Sequence, residues 1–305
     1  MNEAVFWSLV TVLAWGTWLA PLQAAQGDER VRTFFITLGN LAVAWGVAWG
    51  LGFEGLTWSQ SWPAAAGGLI WAWSGWAAVV AVQRLGMAKA MGLWSPLNIV
   101  VSMGWGAVLF EEFAGLPFRV AIGLGAGALA MIAGILLIVL TTASVGPAST
   151  DRRTQSSPQA AAGRTLLGVG AAALAGLGWG SYFIPIRLAE ASAWVTALPL
   201  AVGMLAGAGM PLLAGRAGQR IHKPSAFLAL LSGGMWAAGN YGSLQLMAQL
   251  GTGRGFAVAQ ACVVVNALVG ILLFGVPSPR SQAARSTLAG VLLAALGAAA
   301  IGLIR

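Results

Sequence analysis

Ten apolar runs divide this chain: 4–25, 33–53, 63–84, 89–110, 118–141, 165–187, 194–213, 225–249, 255–275 and 287–304. A helix needs about 20 residues to cross an apolar core of about 30 Å, so each run predicts a spanning helix. Polar residues gather in the short connections. The exception in length is 142–164, TASVGPASTDRRTQSSPQAAAGR, which has no apolar period and reads as a linker. The first run is too long for the apolar part of a secretory signal and lacks a basic lead, so it is expected to be the first spanning helix. The pattern therefore predicts an all-α integral membrane protein with ten transmembrane helices.

The runs also repeat. LAWGTWLAP at Leu13–Pro21 returns as LGWGSYFIP at Leu177–Pro185. The strings IWAWSGWAAVVAVQRLGMAKAMGLWSP and MWAAGNYGSLQLMAQLGTGRGFAVAQA align as well, matching Trp71 with Trp236, Leu85 with Leu250 and Lys89 with Arg254. After a one-residue slip, Gly106 matches Gly270 and Phe110 matches Phe274. Two units of five helices each, 1–141 and 165–305, must enter the membrane from opposite sides because five is odd. The expectation is two inverted five-helix repeats.

Composition agrees with a hydrocarbon solvent: 58% of residues are hydrophobic and 8% are charged, against about 25% charged in soluble domains. The net charge of +8 does not indicate nucleic acid, because basic residues stand singly or in pairs over the loops and form no face. They report topology instead. Arg30, Arg32, Arg84, Lys89, Arg152, Arg153, Arg164, Arg216, Arg220, Lys223, Arg280 and Arg285 fall on one side; Arg119, Arg187, Arg254 and Arg305 fall on the other. This places both termini outside and 142–164 in the cytoplasm. The single Cys262 excludes an internal disulfide.

No Asp or Glu lies in mid-span; Glu111 and Glu112 close the fourth run. Polar groups at depth are uncharged. Ser95, Asn98 and Ser102 share one face of the fourth run, Asn240, Tyr241 and Gln245 sit on the eighth, and Gln260 and Asn266 sit on the ninth. Each admits two readings: an interhelical hydrogen bond worth about 0.6 kcal/mol, or a contact in a substrate cavity. Trp15, Trp71, Trp73, Trp76, Trp179 and Trp236 lie deep along their runs, whereas Trp7, Trp58 and Trp62 suit the membrane interface. A deep indole can stack on a sugar, stack on a flat drug, or pack against a neighbouring helix. Pro21 and Pro185 stand near the ends of matched runs, where each removes a hydrogen bond and permits a kink or a helix end. There is no catalytic triad, metal-ligand spacing or phosphate loop, and the only histidine, His222, is in a basic loop. No enzyme, metal or cofactor is expected.

The string GGMWAAGN…LGTGRGFAVAQ, its counterpart IWAWSGW…RLGMAKAMGLWSPLN and the VLFEE that ends the fourth run resemble the drug/metabolite transporter superfamily, in its branch of glucose/ribose uptake and L-rhamnose–proton symport proteins. The resemblance implies a multi-pass protein of the bacterial inner membrane that imports a small sugar, with Glu111 in the position of a family glutamate and proton coupling through it. The chain departs from that family in Gly75, which stands opposite Asn240, and in FGVPSPR, which lacks an acidic residue. Together the readings place a site between the two halves. Trp15, Trp71, Trp179 and Trp236 would stack or gate, Asn98, Asn240, Tyr241 and Gln260 would bind substrate, and Pro21 and Pro185 would hinge. An exporter of drugs, metabolites or amino acids is the alternative.

Overall fold

The computed structural model describes residues 3–85, 87–143, 158–190, 192–214 and 222–303. They form α1 (Glu3–Thr17), α2 (Leu19–Leu22), α3 (Glu29–Gly50), α4 (Trp58–Leu85), α5 (Met87–Val108), α6 (Phe118–Ala143), α7 (Pro158–Trp179), α8 (Ile184–Leu188), α9 (Ala193–Ala214), α10 (Lys223–Leu250), α11 (Thr252–Ala259), α12 (Cys262–Phe274) and α13 (Gln282–Leu303). No strand occurs among the described residues. The pairs α1–α2, α7–α8 and α11–α12 each make one interrupted rod, so ten rods follow the ten apolar runs. Eight of them are long and apolar enough to cross a membrane. The other two, α5 and α10, are the helices on which Asn98, Asn240 and their polar neighbours concentrate. Helix α7 starts at Pro158, inside the stretch read as linker; 144–157 lie outside the described residues.

The interruptions have a local cause. Pro21 offers no N–H to the Thr17 carbonyl, and α1 ends at Thr17. Likewise α7 ends at Trp179, and the chain turns through Gly180–Phe183 before Ile184 and Pro185 begin α8.

Rods meet where glycine lets backbones touch. A Cβ on Gly39 would run into the Leu230 carbonyl, and one on Gly203 into the Ala65 carbonyl. Similarly, Gly68 lies against the Leu200 carbonyl and Gly233 against the Ile36 carbonyl. A Cβ on Gly290 would stand 2.7 Å from the Gly134 carbonyl oxygen, and one on Gly127 would stand 3.1 Å from that of Gly297. These seams join α3 to α10, α4 to α9 and α6 to α13.

Outside the seams the surface is apolar. Leu213, Phe118 and Val108 are 90%, 80% and 79% exposed. Such a surface suits lipid rather than water. Trp73, deep along the chain, is more than half exposed and faces this surface.

Candidate functional site

A cavity of about 360 Å³ lies between α1, α2, α3, α4, α5, α7, α9, α10, α11 and α12. Tryptophans build its walls. The Trp15 indole stacks on that of Trp236, with centroids 5.0 Å apart, and Trp18 and Trp71 meet Trp236 at 4.9 and 5.3 Å. Across the cavity Trp94 meets Trp179 edge-on at 5.5 Å. Backbone carbonyls orient two of these rings. Trp15 Nε1 donates to the Trp236 carbonyl at 3.3 Å, and Trp179 Nε1 donates to the Trp71 carbonyl at 3.1 Å. Their N–H groups are thus occupied, and only ring surface is offered. Trp236 Nε1 is buried without a partner. A buried unpaired N–H costs about 1–3 kcal/mol.

Asn98 lines the cavity from α5. In the amide orientation that satisfies its neighbours, its nitrogen donates to the Gly176 carbonyl at 2.8 Å and the Trp94 carbonyl at 3.2 Å. Both amide hydrogens are spent on backbone. Gln260 lines the cavity where α11 gives way to α12. Trp15, Trp71, Asn98, Trp179, Trp236 and Gln260 therefore meet around one space.

Asn240 and Tyr241 stand elsewhere. Asn240 Nδ2 donates to Asn40 Oδ1 at 3.4 Å, and Asn40 Nδ2 reaches Met204 Sδ at 3.3 Å, in the packing between α10, α3 and α9. Tyr241 packs on Trp194 at 5.3 Å. Asn240 is four residues past Trp236, a turn of about 40° around the helix. On α10, with neighbours on several sides, that rotation moves a side chain from the cavity wall into a helix seam. Glu111 is exposed on the turn after α5, at φ 50°, away from the cavity. Pro21 and Pro185 stand beside the two interruptions described above.

Sequence reasoning passed over Trp94, Phe256 and Glu29, which also line the cavity. Trp94 precedes Asn98 by four residues, so the face of Ser95, Asn98 and Ser102 was a usable signal. Glu29 is in the first turn of α3, next to the Asp28 cap. It is the carboxylate among the lining residues.

The two ends of the cavity differ. Toward the Glu29 end it is lined by Trp18, Leu19, Val82 and Met91. Toward the Glu112 end it is closed by Tyr182, Phe183 and Phe256, exposed by 2%, 0% and 2%. The rings of Phe183 and Phe256 lie 5.1 Å apart and those of Tyr182 and Phe256 6.0 Å apart. Beyond this plug, Arg187 Nε donates to Thr252 Oγ1 at 3.0 Å, joining the end of α8 to the start of α11.

Comparison with known proteins points to sugar transport. The chain is 27% identical over 196 residues to a Bacillus subtilis (strain 168) protein named "Glucose uptake protein GlcU", covering 63% of this chain and 61% of that one. It is 24% identical to a Lactiplantibacillus plantarum protein named "Putative sugar uptake protein", over 98% of both chains. A solved crystal structure shares the fold at a TM-score of 0.68 and 20% identity, over 97% of this chain and 96% of that chain. The family model described as "Sugar transport protein" matches residues 6–304, and with its aromatic cavity inside an apolar helical bundle this chain belongs to that family of membrane transporters.

Proposed function

We propose that this protein takes up a small sugar across the bacterial inner membrane by alternating access, through two inverted five-helix halves, 1–141 and 165–305. The observation that carries this reading is the pair of cavity ends. Trp18, Leu19 and Met91 line the open end; the positions matching them, Tyr182, Phe183 and Phe256, seal the other. Exchange of conformation between the halves would seal the first set and open the second.

Other contacts support the same relation. Trp15 to Trp236 is matched by Trp179 to Trp71, Gly39–Leu230 by Gly203–Ala65, and Gly134–Gly290 by Gly127–Gly297. The basic residues near the Glu29 end orient it to the cytoplasm under the positive-inside rule, with both termini outside. The cavity is then open inward. Its chemistry suits a sugar: indole faces stack on C–H surfaces, and Trp236 Nε1 and Gln260 bond hydroxyls. Proton coupling belongs to this reading. Glu111 is its candidate by resemblance, and Glu29 is the carboxylate at the cavity itself.

The test is radiolabelled glucose uptake and counterflow in proteoliposomes, extended to other small sugars. Accumulation or counterflow with any of them supports the proposal. Absence for every sugar, with thermal stabilisation by amino acids or aromatic cations, moves the chain to the exporter reading.

A further inference from the structure

Glu112 lies just past the end of α5, at the sealed end of the bundle, and its carboxylate is spent on another rod. One oxygen accepts the N–H of Thr252; the other accepts that of Gly253 at 2.9 Å. These residues open α11, whose first N–H groups have no partner inside the helix. The seat is built for the carboxylate. A Cβ on Gly106 would stand 2.7 Å from Glu112 Oε2, and a Cβ on Gly251 would stand 2.8 Å from Glu112 Cδ. Gly251 also has φ 90°, a backbone conformation open to glycine.

What α11 carries makes this contact matter for transport. It bears Phe256, the centre of the plug, and ends at Gln260 in the cavity wall. Arg187 grips the same Thr252 from α8. Glu112 thus joins the turn after α5 to the plug-bearing helix.

The matching turn at the open end keeps the backbone and lacks the carboxylate. Val276 N donates to the Gly270 carbonyl at 2.9 Å, as Glu112 N donates to that of Gly106 at 2.9 Å. The side chain there is Val276. The positions that match Thr252 and Arg187 hold Met87 and Gln23.

We infer that Glu112 is a latch: a positioning residue that holds α11 and its Phe256 plug in the sealed position and must leave the start of α11 before that end opens. The matched position holds Val276, which cannot make this contact, so the contact favours the state with the Glu29 end open. This inference rests on the alternating-access reading.

The experiment is alkylation of a single cysteine at the plug, Met247→Cys with Cys262→Ala, by a membrane-impermeant maleimide added outside intact proteoliposomes. Met247 is fully buried beside Phe256. Glu112→Gln and Glu112→Ala are expected to speed labelling roughly tenfold or more, because a hydrogen bond to a charged group contributes about 1.5–3 kcal/mol and a factor of ten corresponds to 1.4 kcal/mol. Gly106→Ala, which fills the seat and leaves Glu112 in place, is expected to do the same if the glutamate variants fold poorly. Unchanged labelling in a folded Glu112→Gln or Gly106→Ala protein overturns the latch. Labelling of the parent that does not respond to glucose or any other sugar overturns alternating access, a separate result from the ratio between variant and parent.

Discussion

The two ends of the cavity use matched positions to opposite effect. At one end Tyr182, Phe183 and Phe256 are buried against each other; at the other Trp18, Leu19 and Met91 leave a space that reaches Glu29. Local sequence does not impose this difference, since both sets are large and apolar. The difference lies in what ties the rods together beyond them. The sealed end has Glu112 and Arg187 converging on Thr252; the open end has Val276 and Gln23 in the places of Glu112 and Arg187, and is tied instead by the neutral bond from Gln26 N to Ser225 Oγ at 2.9 Å. Apolar packing is non-directional and can be made at either end. A carboxylate on two backbone N–H groups is directional and can be made at one.

Four sets of substitutions would break or sharpen this comparison. The largest effect is expected from Phe256→Ala. Emptying a fully packed aromatic site costs about 3–5 kcal/mol, whereas Met91→Ala at the open end removes contacts from one side of a half-buried chain and costs less. Thermal melts of the two variants in detergent should differ by many degrees; equal melts would show that the sealed end is not the tighter one. Next come the seams. Gly39→Ala and Gly203→Ala each place a methyl against a carbonyl, and similar losses of about 1–3 kcal/mol are expected for both, against little change for Gly46→Ala, where nothing lies within 4 Å. Unequal losses at Gly39 and Gly203 would separate the halves energetically.

A smaller effect separates recognition from architecture. Trp236→Phe keeps a ring but removes the unpartnered N–H, so sugar affinity should fall about fivefold, the worth of about 1 kcal/mol in one hydrogen bond, with little change in melting. Trp179→Phe removes an N–H already bound to Trp71 and should lower melting instead. Calorimetric titration alongside thermal melts distinguishes the two. The smallest change is expected from Asn240→Ala, which gives up an interhelical bond worth about 0.6 kcal/mol and should leave affinity within about twofold. A large loss of sugar binding in that variant would put Asn240 back in the cavity.

Much of this was legible along the chain. Each apolar run became a rod, and even the interruptions were signalled by Pro21 and Pro185. Trp15, Trp71, Asn98, Trp179, Trp236 and Gln260, read from the sequence as deep positions, line one cavity. The misplacements were rotational. Asn240 shares a helix and a depth with Trp236, yet about 40° of rotation turns it toward Asn40. Trp73, two residues from Trp71, faces away from the cavity. Glu111 and Glu112 are adjacent in a turn, where neither helical nor strand period assigns a direction, and only packing against α11 picks out Glu112 as the partner of its first N–H groups.

The sequence by itself determined that this is a ten-rod, all-helical membrane protein, because spanning a bilayer requires long apolar runs whose backbone bonds are satisfied locally. Tertiary structure alone decided which faces meet, which tryptophan N–H remains unpaired, and which end is sealed. Those outcomes depend on rod rotation and on contacts such as Glu112 to Gly253, made between residues far apart in the chain, which no local period encodes.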